Sequence, residues 1–296
     1  MKIHARLAAV LAAATTVVLG LLVAPGPLPA AAGAAPRSTS SSDDCGVLIA
    51  KPGGGNWSCT FHDEFDGSAL DRTKWVPQTN FVNGSPTRYA CYVDDPAVVS
   101  VSGGSLRLSV KDAGVPVTCP AGLSSTYAAG QVSTFYKFSQ QYGRFEARMK
   151  VPAATQPGLQ EAFWLWPDVR YHDTSTWPLS GEIDIVETYS QHPTLAIPFL
   201  HYSADSGGPQ PGLNTAWNCA ASRGVWNTYT LEWSANRIEI SVNGVSCLVN
   251  TSGDAAFQKR YIIALTQALG RGGNAWDGSG ALLPATTEVD YVRVWE

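Results

Sequence analysis

Short runs rich in Val, Ile, Tyr, Phe and Trp recur from Cys59 to the end of the chain, spaced by clusters of Gly, Pro, Asn and Ser, and no stretch carries a sustained helical period. This pattern constrains the fold more than any other feature. The runs fall at 105–110, 130–135, 143–151, 162–166, 182–189, 227–234, 237–242 and 288–295. Parallel strands need long, usually helical, crossovers; with no alternating helices the strands are expected to pair antiparallel, in a sandwich or a barrel. Asn243 and Gly244 lie between two apolar runs and predict a two-residue hairpin. A helical turn or two is expected near 254–259. No internal repeat and no second domain is visible.

The first residues belong to a different problem. Lys2 and Arg6 precede an apolar run over 7–24, and Ala30, Ala31, Ala32, Gly33 and Ala34 follow it, which are the three parts of a secretory signal peptide. An uncleaved membrane anchor is the other reading, weakened by the Ala-rich composition and by Pro25. We therefore expect a signal peptide at 1–34, a leader at 35–58 whose N-terminal part is flexible, and a folded domain at 59–296. Residues 36–44 are Ser-rich and unpatterned. No later segment could span a bilayer, so no membrane contact is expected after cleavage.

Six cysteines follow the leader, Cys45, Cys59, Cys91, Cys119, Cys219 and Cys247, and in an exported chain an even count reads as disulfides. Fifteen connectivities are possible. We favour the three sequential pairs, each of which closes a local loop. A zinc site is a poor alternative because no Cys-x-x-Cys occurs and the five histidines do not cluster. A net charge of -4 with 15% charged residues leaves no basic surface for nucleic acid. Ten Trp and eleven Tyr suit either a large core or stacking on sugar faces.

Chemistry concentrates in Ser180-Gly181-Glu182-Ile183-Asp184-Ile185-Val186-Glu187-Thr188-Tyr189. On a strand, Glu182 and Asp184 share a face and Ile183 and Ile185 take the other. Strict alternation would send Glu187 to the wrong side; one extra residue, a bulge at Ile185 or Val186, returns it to the acidic face. The two glutamates would then stand about 13 Å apart at Cα, a gap that long side chains leaning together must close. Three neighbouring carboxyls cannot all ionise freely, so their pKa values must split. Glycoside hydrolysis with retention uses such a split, one carboxylate attacking the anomeric carbon while a protonated partner feeds the leaving oxygen. An inert acidic strand edge is the competing reading. Trp164, Trp166 and Trp177 lie within twenty residues and could stack on sugar rings, although a single Trp is more often core.

The run from Trp177 to Glu187 resembles the signature of glycoside hydrolase family 16, in the bulged Glu-x-Asp-x-x-Glu form of laminarinase-like members. Asp63-Glu64-Phe65-Asp66-Gly67 is similar to the family's opening motif, 142–150 to the strand before the cleft and 289–295 to its closing strand. The resemblance implies a β-jelly roll with an open substrate cleft, and makes 59–296 a glycoside hydrolase domain. It further implies Glu182 as nucleophile, Glu187 as general acid/base and Asp184 as the residue tuning both. His201, Trp164 and Trp177 match substrate-binding positions of the cleft. Arg144 and Arg148 alternate on a strand and read as a solvated or salt-bridged face. No cofactor is implied for catalysis, but a structural calcium is, with Glu64 and Asp290 at the matching positions.

Two departures bear on specificity. Gln160-Glu161-Ala162-Phe163-Trp164 stands where related chains often read Trp-Pro-Ala-Phe-Trp, and 264–270 replaces an Asn-rich run. The expected activity is a secreted, monomeric, retaining endo-glycosidase acting on a β-glucan with β-1,3 or mixed β-1,3/1,4 linkages. The alternatives are the same scaffold on another polymer such as a galactan, a transglycosylase, and a non-catalytic carbohydrate-binding sandwich. A pure lectin gains nothing from a repulsive carboxylate cluster.

Overall fold

The computed structural model describes residues 41–204 and 208–296. The signal peptide expected at 1–34, and residues 35–40 of the leader, lie outside the described residues. Each of the eight expected runs contains a strand, some longer, as in Leu106–Thr118, Leu159–Pro167 and Ala285–Trp295, and that at 130–135 shorter, Gln131–Ser133. The strands form two large sheets. The smaller runs in the order Ile197–His201, Glu182–Tyr189, Leu159–Pro167, Tyr261–Leu269, Gln131–Ser133 and Val76–Pro77. The larger has Gly143–Lys150 and Ala285–Trp295 near its centre, with Asn227–Ser234 and the hairpin Arg237–Asn250 on one side. Pairing is antiparallel apart from Arg88–Tyr92 against Ser124–Ala129, which run parallel.

The main core lies between the sheets, with a smaller cluster around Tyr92, Leu159 and Leu269. Phe163, Leu165, Ile183, Ile263 and Leu265 point into the main core from the smaller sheet and Phe145, Ala147, Leu231, Val292 and Val294 from the larger, all fully buried. Burying each large apolar side chain contributes about 1.5–3 kcal/mol, so alternation fixes which face of every strand turns inward. On the outward face of the larger sheet, Arg144 pairs with Glu232 and Glu146, Arg148 with Asp290, and Lys150 with Glu288. These ion pairs, all between strands except Arg144–Glu146, are the salt-bridged face expected of Arg144 and Arg148.

The local signals are realised. Asn243 (φ 51°) and Gly244 (φ 78°) turn the hairpin, both in the left-handed region that such a two-residue turn requires. Asp254 caps a short 3-10 turn, Ala255–Phe257, by accepting from the Ala256 amide. The cysteines pair Cys45 to Cys59, Cys91 to Cys119 and Cys219 to Cys247.

The leader differs from expectation where it is described. Ser42–Asp43 pairs with Gly46–Val47 as a small hairpin instead of running unpatterned. The Asp43 carboxylate accepts the amides of Cys45 and Cys59, each at 2.9 Å, and the buried Cys45 is bonded to Cys59. A side chain that caps two amides, beside a covalent tie to the first core strand, orders a segment whose composition alone predicts none.

Candidate active site

The strand Glu182–Tyr189 lies second from the edge of the smaller sheet, between Leu159–Pro167 and Ile197–His201. Gly181 precedes it with φ 93°, and a Cβ there would collide with the Tyr261 hydroxyl, so only glycine admits the strand this close to its neighbour. Glu182 pairs with His201 and Asp184 with Phe199, then the register slips so that Glu187 pairs with Ile197. On the other side Trp164 opposes Asp184 and Phe163 opposes Val186. One residue is therefore extra, Ile185 is left unpaired across this seam, and both Ile185 and Val186 are buried. The bulge expected at 185 or 186 is present, and it returns Glu187 to the face of Glu182 and Asp184.

All three acids line one cavity of about 250 Å³, together with Gln160, Trp164, Thr266 and Arg271. Trp177 Nε1–H donates to Glu182 Oε2 at 2.7 Å. His201 Nε2 lies 3.2 Å from Asp184 Oδ2, and oxygens of Glu182 and Asp184 lie within 4.8 Å of each other and of the imidazole. The ring of His201 stacks on Phe199 at 4.2 Å and tilts against Trp177 at 5.1 Å. Gln160 Nε2–H donates to Glu187 Oε1 at 2.5 Å, and Tyr189 also hydrogen-bonds that carboxyl. Trp164 is fixed by its own N–H on Thr266 Oγ1 at 3.0 Å. Of the three aromatic rings singled out in the sequence, Trp177 is 44% exposed, and Trp164 and Trp166 line an adjoining cavity of about 600 Å³. Trp164 and Gln131 border both cavities, so the two form one groove.

Electrostatics follow from this geometry. Burial first, and then the charge of Asp184, push the Glu182 carboxyl well above the usual range, against the pull of His201 and the Trp177 N–H. Asp184 is raised well above its ordinary value by burial and by Glu187. Glu187 is raised by burial, while Tyr189, Gln160 and His201 pull it down. The cluster thus keeps at least one proton where an isolated carboxyl would have lost it, and its titration belongs to the group and not to one residue. An ionised acceptor and a protonated donor can coexist here at neutral pH.

Sequence reasoning passed over Gln160, Tyr189 and Arg271 as site residues. The neighbour of Gln160, Glu161, is fully buried on the core side, opposite Thr188, the residue after Glu187. Its carboxylate accepts from Thr188 at 2.6 Å, from Arg223 at 2.7 and 2.9 Å and from Gln267 at 3.1 Å. Alternation announces that Glu161 and Gln160 face opposite ways, but not which partners they meet.

The expected calcium ligands do not form a cage. Both oxygens of Glu64 are taken by Arg293 at 2.8 Å, and Asp290 Oδ2 by Arg148 at 2.6 Å. A guanidinium fork from Arg293 holds both Glu64 oxygens and Arg148 holds one oxygen of Asp290, so these two carboxylates as placed do not fit that role. Matching acids in the motifs did not reveal that arginines at 148 and 293 alternate beside them on the same sheet.

The family pattern described as "Glycosyl hydrolases family 16" matches residues 85–293, which include the acidic strand and both of its neighbours. Glucan endo-1,3-beta-glucosidase A1 of Niallia circulans is 27% identical over 267 residues, covering 80% of this chain and 37% of that protein. Keratan-sulfate endo-1,4-beta-galactosidase of Sphingobacterium multivorum is 29% identical over 255 residues, covering 81% and 56%. The chain therefore spans about a third to a little over half the length of these two relatives. Among solved structures, a non-specific endo-beta-1,3(4)-glucanase aligns with a TM-score of 0.68 and 26% identity over 84% of this chain and 94% of its own. A jelly-roll sandwich bearing the bulged acidic strand inside the matched span leaves one conclusion: the chain belongs to glycosyl hydrolases family 16.

Proposed function

We propose that this protein is a secreted, retaining endo-glycosidase that cuts a β-glucan with β-1,3 or mixed β-1,3/1,4 linkages, acting as a monomer and needing no cofactor for catalysis. The observation that carries this reading is the bulge that gathers Glu182, Asp184 and Glu187 on one wall of an open groove. Ionised Glu182, held by the Trp177 N–H, attacks the anomeric carbon and forms a glycosyl ester. Protonated Glu187 gives its proton to the departing glycosidic oxygen, then as a carboxylate takes one from the water that hydrolyses the ester. Asp184 holds charge between them and, with His201, relays changes in one carboxyl to the other. Trp164 and Trp177 offer faces for sugar rings.

Endo-action is favoured by the way the cavity at the acids continues past Trp164 on one side and past Arg271 on the other. The glucanase named above and the relative from Niallia circulans support the substrate class. The galactosidase relative supports a β-galactan as the second reading, as does Gln160, a polar amide where a cleft tryptophan is usual. Laminarin, lichenan and galactan, with NMR of the first products and sizing of the rest, separate these. Fresh β-anomers in a ladder from a glucan are expected; α-anomers overturn the pair of acids, and cleavage confined to galactan overturns the glucan assignment.

A further inference from the structure

Eleven arginines lie among the described residues, and ten have a hydrogen-bond or ion-pair acceptor. The exception is Arg271, and it is the arginine that lines the groove. It borders the cavity that holds the three acids and two others of about 490 and 190 Å³. Among the described residues, neither of those two is lined by any Asp or Glu, although the chain is net negative. The smaller continues from Tyr189, beyond Glu187, and its wall includes Gln191, His192, Asn274 and Trp217. Trp217 is 44% exposed and set edge-to-face on His192 at 5.3 Å, which leaves an aromatic surface open to a ligand.

The backbone that carries Arg271 is held firmly. The Gly270 amide donates to the Gly158 carbonyl at 2.8 Å and the Asn274 amide to the Arg271 carbonyl at 3.0 Å. Asn274 is itself buried and ties the loop to the amide of Gln191 at 3.1 Å and to the carbonyl of Leu159 at 2.7 Å. An anchored main chain bearing a guanidinium with no acceptor, beside hydrogen-bond donors and an aromatic face, is the arrangement that recognises an anionic sugar. The other described arginines, by contrast, are all engaged by the protein's own acids, hydroxyls or carbonyls.

We propose that Arg271 binds an anionic substituent, a sulfate half-ester or a carboxylate, on the sugar next to Glu187, so that the groove prefers a charged β-linked polysaccharide to its neutral counterpart of the same backbone. This rests on Glu182 and Glu187 being the hydrolytic pair, with Glu187 on the leaving-group side. The test uses the full chain with Glu182→Gln, which keeps the site but stops turnover. Calorimetry compares glucan and galactan oligosaccharides, each in neutral, sulfated and carboxylated form, at low and high salt. A charge-assisted, bidentate contact predicts roughly 10- to 100-fold tighter binding of a charged form than of its neutral twin, shrinking with salt. The sulfated and carboxylated arms tell which anion is taken.

Adding Arg271→Gln should bring that ratio to near one, and Arg271→Lys should leave part of it, because an ammonium keeps the charge but not the fork. Equal affinity for charged and neutral twins, binding of neither, or a preference that survives Arg271→Gln overturns the proposal. If the preference holds while the unsubstituted protein cleaves none of the six, the hydrolase reading falls and the anion site stands.

Discussion

Removing Arg223 should be among the most damaging single changes to this fold. Glu161 is fully buried, the Arg223 side chain is 2% exposed, and two of the four hydrogen bonds to the carboxylate come from that guanidinium. In Arg223→Met the methionine fills much of the volume, but Glu161 keeps only Thr188 and Gln267 as donors and is left as a buried charge with no counter-ion. Stranding a buried charge in this way costs about 3–5 kcal/mol. For a domain of this size each kcal/mol lowers the melting temperature by about 2–4 °C, so calorimetric melting should drop by about 6–20 °C. Glu161→Gln in the same chain removes the stranded charge while keeping an acceptor for Thr188, and should recover most of the loss. A drop of under about 2 °C in the single variant, or no recovery in the double, refutes the reasoning. Thr188 and Glu161 also pair across the seam next to Glu187, so turnover should fall further than the fraction of folded protein accounts for.

Four further outcomes follow from the acidic cluster. Glu182→Gln should abolish turnover while oligosaccharide binding, measured by calorimetry, survives. The same variant tests linkage: a carboxyl whose folded pKa is raised binds more protons folded than unfolded, so the parent loses stability as pH climbs from about 4 through the raised value. Melting across that range should show Glu182→Gln more stable than the parent near neutrality, with the gap closing towards acid pH; a gap independent of pH contradicts the raised carboxyl. Trp177→Phe deletes the N–H that favours ionised Glu182, so the acidic limb of the pH profile of kcat/KM should move upward, and an unmoved limb means that this hydrogen bond does not set the nucleophile's ionisation. Glu187→Ala should lose far more activity on glucans than on aryl glycosides with good leaving groups, which need little acid help, and azide should restore it as a β-glycosyl azide; an α-azide would point to inversion.

Much of the site was legible because its logic is local. Glu182 and Asp184 fall on one face by the two-residue period of a strand, and the five-residue step to Glu187 can keep that face only through a bulge, which the register shows between Asp184 and Glu187. The hairpin at Asn243 and Gly244, the cap at Asp254 and the pairing of cysteines near in sequence also depend on neighbours along the chain. The segment at 41–44 misled for the same reason: its order comes from Cys59 and the strand beyond, which its own composition does not register.

Contacts between distant segments lie beyond such reading. His201 reaches Asp184, Gln160 reaches Glu187 and Arg223 reaches Glu161 only because antiparallel pairing sets particular residues opposite one another, and a slip of one residue would turn each side chain to the other face. Glu64 and Asp290 show the converse, two acids that suit a cation in sequence and are claimed by arginines in space. By itself the sequence determined the strands, the inward and outward faces and the one strand that gathers the acids, since each follows from backbone period and side-chain polarity. Which charges meet, which are neutralised and which, like Arg271, remain open in the groove was decided only when the sheets packed, because charge partners depend on distances across strands that no local pattern encodes.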